Sequence, residues 1–214
     1  MDEETALIDA NTRNEKIKNF LVNNKSKILT IVISIVVLLL LFFGYGEYKK
    51  RDRISVSDEF NSLTIGYNKE NNSKILTGLI NVIKEKNPTY SPLALYFIID
   101  NGLTDDKDQI NEYFDILIED TSLENEIKNL VIYKKGLYNA DIVDEAGILK
   151  ILKPIINSES VWKSHALYLL GEYFYSKQEN QKAKDFFEQI VSLENSNLEI
   201  KTQAQKRLNR DLSD

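Results

Sequence analysis

Residues Ile28 to Phe43 read ILTIVISIVVLLLLFF, sixteen positions without a charge, and the 171 residues that follow are dense in Lys, Asp and Glu. Extended through Gly44 and Tyr45, the run gives about 27 Å of helix at ~1.5 Å per residue, close to the hydrocarbon thickness of a bilayer. Fourteen of the sixteen positions are Ile, Leu, Val or Phe. Each is worth about −0.3 to −0.6 kcal/mol at a helix centre, so insertion is favourable by several kcal/mol even with Thr30 and Ser34 discounted. The reading is a transmembrane helix over 28–46, with an N-terminal tail over 1–27, a basic juxtamembrane linker over 47–54 and a separate domain over 55–214.

Two other readings compete for that run. A cleaved signal peptide has the small residues Gly44 and Gly46 in its favour. Against it, the run exceeds the usual h-region and follows 27 residues with five acids (Asp2, Glu3, Glu4, Asp9, Glu15). A buried core helix apolar on every face needs a larger protein around it than this chain supplies. Orientation is not set by charge, because Arg13, Lys16, Lys18, Lys25 and Lys27 on one flank nearly balance Lys49, Lys50, Arg51 and Arg53 on the other. A long domain can translocate regardless of its charge, so a cytoplasmic tail with the domain outside is allowed.

The chain has no cysteine, which removes disulfides, thiolate metal sites and cysteine nucleophiles. From Ser55 onward there are 18 Lys and Arg against 26 Asp and Glu, a balance of −8. Such a domain offers little to offset phosphate repulsion, which argues against nucleic acid as a partner.

Past the apolar run, apolar residues recur at i, i+3, i+4 and i+7 with little strict alternation, so the domain reads as all-α. Helices are expected at about 52–70, 73–86, 91–101, 107–119, 124–139, 145–157, 161–177, 180–194 and 198–210, with breaks at Asn87-Pro88, Ser91-Pro92 and Thr104-Asp105. Short connections make antiparallel hairpins whose starts lie about 34–38 residues apart. Gly66, Gly102, Gly136 and Gly171 fall 36, 34 and 35 residues apart. Each stands in the first helix of its pair or at its end, where a missing side chain permits close helix approach, although a helix-end glycine explains Gly102 equally well.

In the last pair, Leu167, Leu170, Gly171, Phe174, Ala183, Phe187 and Ile190 stand at the spacings of the tetratricopeptide repeat, with Asn195 where its proline is usual. Small Gly171 and Ala183 let the helices touch while the larger residues fill the layer between them. The preceding pair matches through Ile132, Gly136, Leu152 and Ile155, but Lys135 and Asn139 stand where Leu and Tyr are expected. The segment from Leu198 to Leu208 reads as a C-terminal capping helix. The fold expected is therefore a single N-terminal transmembrane helix followed by a tetratricopeptide-like α-solenoid of about four helix pairs plus a cap.

The whole arrangement resembles the YfgM-like family, ancillary subunits of the SecYEG translocon. The resemblance implies a single-pass bacterial inner-membrane protein with a cytoplasmic N-terminus and its repeats in the periplasm, associated with translocon subunits and periplasmic chaperones. A tethered repeat scaffold for another envelope process, outer-membrane assembly or cell division, is the alternative.

Chemistry is sparse. His165 is the only histidine, so no metal cluster or Ser/His/Asp set can form around a second one. The glycines are isolated and make no phosphate loop. No cofactor, small-molecule substrate or catalytic residue is expected, and the reading is of a protein binder. Carried over from the tetratricopeptide register, the first helices of the pairs line the concave surface. That implies a groove of His165, Tyr168, Glu172 and Tyr175, with Leu130, Tyr133 and Leu137 beside them. Tyrosines suit a reversible protein interface because they combine large contact area with a polar tip. The competing reading is that Tyr133 and Tyr168 simply pack between repeats.

Overall fold

The computed structural model describes residues 15–212, the side chains of 47–52 and 69 excepted. Among the described residues every regular element is helical. The chain divides into two units, residues 1–55 and 56–214.

The first unit carries most of α1, which spans Lys25–Ile65. Residues 29–46 are exposed throughout, so none of the described residues covers their apolar surface. From Lys25 to Gly46 the helix is long and apolar enough to cross a membrane. The two hydroxyls within the Ile28–Phe43 run are satisfied within the helix, Thr30 Oγ1 donating to the Ser26 carbonyl at 3.0 Å and Ser34 Oγ to the Thr30 carbonyl at 2.9 Å. In hydrocarbon an unpaired hydroxyl is costly, and this back-bonding removes that cost. Residues 47–54, read from the sequence as a linker, are helical and belong to α1.

In the second unit α1 ends before Gly66, and an Asn68/Asn71 capping box turns the chain. Asn68 Oδ1 accepts from the Glu70 and Asn71 amides, and Asn71 Oδ1 accepts from the Asn68 amide at 3.0 Å. α2 (Asn72–Lys84) buries Ile75, Leu79, Val82 and Ile83, one helical stripe. α3 (Tyr90–Asp100) starts before Pro92. The expected break at Ser91-Pro92 is therefore absent. Proline is tolerated in a first turn, whose amides have no helical partner, and Ser91 donates instead to the Val82 carbonyl at 2.7 Å. Gly102, at φ +57°, closes α3.

α4 (Lys107–Asp115), capped by Asp106, widens into a π-helical turn over Ile116–Asp120. There follow α5 (Asn125–Asn139), α6 (Glu145–Ile156, capped by Asp144), α7 (Lys163–Ser176), α8 (Asn180–Ser192) and α9 (Leu198–Arg210, capped by Asn197). α2 packs on α3, α5 on α6, α7 on α8, and α8 on α9, while α7 also touches α5 and α9.

The interior forms two cores. One runs from Val56 through Leu79, Ile98 and Phe114 to Val131. The other runs from Ile132 through Ile148, Leu170 and Phe187 to Leu212. α5 is their common wall, Val131 serving one core and its neighbour Ile132 the other.

The two sequence departures in α5 have a structural role. Lys135 Nζ pairs with Asp115 at 2.5 Å, and Asn139, almost fully buried, exchanges two hydrogen bonds with Asn111 at 3.0 and 2.8 Å. Polar links thus join α4 to α5 where apolar residues were expected. Of the four phased glycines, Gly136 and Gly171 mark close helix approach, whereas Gly66 and Gly102 lie just past helix ends.

Candidate protein-binding face

The expected groove residues lie on α5 and α7, but they stand in three different environments. Tyr133 stacks on Trp162 with ring centres 5.8 Å apart and planes 21° apart, and His165 meets both rings at 5.8 and 5.1 Å. This cluster fills the seam between α5 and α7, with Val161 beside it in sequence 65% exposed. Nδ1 of His165 is buried without a hydrogen bond of standard geometry. Burial lowers the His165 pKa, the Val161 backbone and the charge of Glu199 acting in the other direction. Burial likewise raises the Tyr133 hydroxyl.

Farther along α7, helix α9 reaches across the expected groove. Arg207 grips Glu172 with two parallel bonds, Nε to Oε1 at 2.7 Å and Nη2 to Oε2 at 2.5 Å. The same guanidinium lies 5.0 Å from the centre of the Tyr175 ring and bonds Asp211 at 2.8 Å. Those bonds push the Arg207 pKa up, Glu172 contributing most, while hydrogen bonds from Arg210 first and from Arg207 second hold Asp211 well below the usual carboxylate range. Tyr168 packs on Phe187 at 5.4 Å, its pKa raised first by burial and then by Glu172. Glu172, Tyr175 and much of Tyr168 are therefore engaged within the chain. A fork of this kind is charge-assisted and geometrically specific, and it fastens α9 to α7.

Leu137 stands apart, 45% exposed on α5. It belongs to a hollow of about 250 Å³ between α3, α4 and α5, whose apolar wall is Tyr96, Ile99, Phe114 and Tyr138. Asp100 and Lys134 complete the lining, the Lys134 amine lying 4.8 Å from the centre of the Tyr96 ring. The Tyr96 hydroxyl is buried with no hydrogen-bond partner, and burial pushes its pKa up to about 12. The Tyr138 hydroxyl is raised by burial and also by the charges of Asp105 and Asp106.

The seven packing positions are all buried: Leu167, Leu170, Gly171 and Phe174 on α7, Ala183, Phe187 and Ile190 on α8. Sequence reasoning passed over Trp162, Tyr96 and Arg207. The single tryptophan and the 35-residue spacing of Glu172 and Arg207 were the available signals, the second falling within the 34–38-residue spacing read from the sequence. Among the described residues no three His, Cys, Asp or Glu side chains converge as a metal site.

No protein-family model, curated protein or solved structure matches the chain.

Proposed function

We propose that this chain is a membrane-tethered, non-catalytic protein-binding scaffold: a degenerate tetratricopeptide-like solenoid carried on a single transmembrane helix. The observation that supports it best is the α7/α8 hairpin. A Cβ on Gly171 would stand 2.5 Å from the Phe187 ring, so the two helices touch where that repeat requires a small residue. Successive contacts of α5, α7 and α9 agree with stacked pairs, and the exposed apolar stretch at residues 29–46 calls for lipid.

The resemblance to the YfgM-like family supplies the location: N-terminus cytoplasmic, domain periplasmic, at the export translocon with its chaperones as partners. A C-terminal alkaline phosphatase fusion is expected to be active and a C-terminal green fluorescent protein dark. The reverse pattern overturns this orientation. A photo-crosslinker at Val161, beside the Tyr133/Trp162/His165 cluster, is expected to capture translocon or chaperone subunits from intact cells. Capture of another envelope machine instead would move the scaffold to that process.

A further inference from the structure

The hollow between α3, α4 and α5 is where exposed apolar surface meets negative charge. Its volume of about 250 Å³ falls below the ~300–1,000 Å³ of small-molecule sites but accommodates a large side chain. Leu137 lies exposed at its edge, and Tyr96, Ile99 and Phe114 supply an apolar floor. Asp100 lines it, and exposed Asp105 and Asp106 lie close enough to act on Tyr138 in its wall. Lys134, whose amine lies over the Tyr96 ring, is the cation in the lining. The surrounding domain, at −8, adds to the acidic side.

We infer that this hollow seats one large apolar side chain of a partner polypeptide segment flanked by Lys or Arg. The apolar residue gains by leaving water, and the flanking cations meet Asp100, Asp105 and Asp106, which sets partner preference and attraction at a distance. A segment flanked by Glu or Asp meets like charge and is rejected. The inference rests on the scaffold reading and names the chemistry of one of its partners.

The test uses the full chain in nanodiscs of zwitterionic lipid, with binding to empty discs subtracted. Three fluorescent peptides are titrated by anisotropy: a Leu-Phe-Leu centre flanked by Lys, the same centre flanked by Glu, and a Lys-flanked Ser-Gly-Ser centre. The first is expected to bind about tenfold tighter than either other, with an advantage that shrinks between low and high salt. Leu137→Lys, a change at an exposed position, is expected to weaken it about tenfold. Asp100→Asn combined with Asp105→Asn is expected to weaken it several-fold, and neither change removes a helix cap. Equal binding of the Glu-flanked peptide, or variants that bind like the parent, overturns the inference. Absence of peptide binding alongside capture at Val161 also overturns it and leaves the scaffold reading standing.

Discussion

Gly171 on α7 lies flat against the ring of Phe187 on α8: a Cβ at residue 171 would meet three ring carbons at 2.5 to 2.9 Å. Phe187 is fully buried, so its ring has nowhere to withdraw. Gly171→Ala gains about 1 kcal/mol of helix propensity but costs about 1–3 kcal/mol in overpacking, for a net loss. Phe187→Ala is expected to cost about 3–5 kcal/mol by cavity formation. Denaturant titration checks both, and Gly171→Ala with Phe187→Leu should be less destabilised than the sum of the single changes.

Arg207 is the clasp of α9. Its fork to Glu172 is less than one-third exposed on both sides, so it is worth more than a surface pair and less than a buried one. Arg207→Leu is expected to cost about 1–2 kcal/mol. Hydrogen exchange should quicken first in α9, and a uniform change across the domain would show that the clasp has no local role.

The Asn111/Asn139 pair predicts an asymmetry. Asn139→Ala leaves Asn111 without its partner in a half-buried site and is expected to cost about 1–3 kcal/mol. Replacing both by Leu removes the unpaired polar group and should recover part of that loss. A double variant weaker than the single one would mean that the pair does more than satisfy its own hydrogen bonds.

His165 makes stability depend on pH. Its pKa is lowered by burial, so the folded state binds a proton less readily than the unfolded chain. The contribution is fully present above the unfolded value of about 6.5 and is lost as pH falls through the lower folded value. Melting temperature should therefore drop between pH 7.5 and 5.5, and His165→Phe should flatten that drop. Asp211, also lowered, acts in a separate window, its contribution being lost only as pH falls below the ordinary carboxylate range.

The apolar run at Ile28–Phe43 and the helical periodicities were legible because each is a local pattern, and most helix ends fall within a few residues of those expected. Pro92 misled because the same residue ends a helix or opens one according to its position in the turn, and the bonds that hold the start of α3, from the Tyr90 amide to Asn87 Oδ1 and from Ser91 Oγ to the Val82 carbonyl, are tertiary in part. The site was less legible. Register placed Tyr133 and His165 side by side, but nothing local says that Arg207 folds back over Glu172 and Tyr175. Nor does spacing show that Tyr96 on α3 and Leu137 on α5 share a hollow, since that depends on how two helices from different pairs lean together.

Val131 and Ile132 are adjacent in the chain and lie in different cores. Each core has its own complement of buried side chains, with α5 as the party wall between them. Ile118, in the π-helical turn, also packs against both cores, so a partner that tightens one half is felt in the other through α5 and that turn. Cooperativity across the domain thus passes through a narrow seam, the Val131–Ile132 step of α5 and the side chain of Ile118.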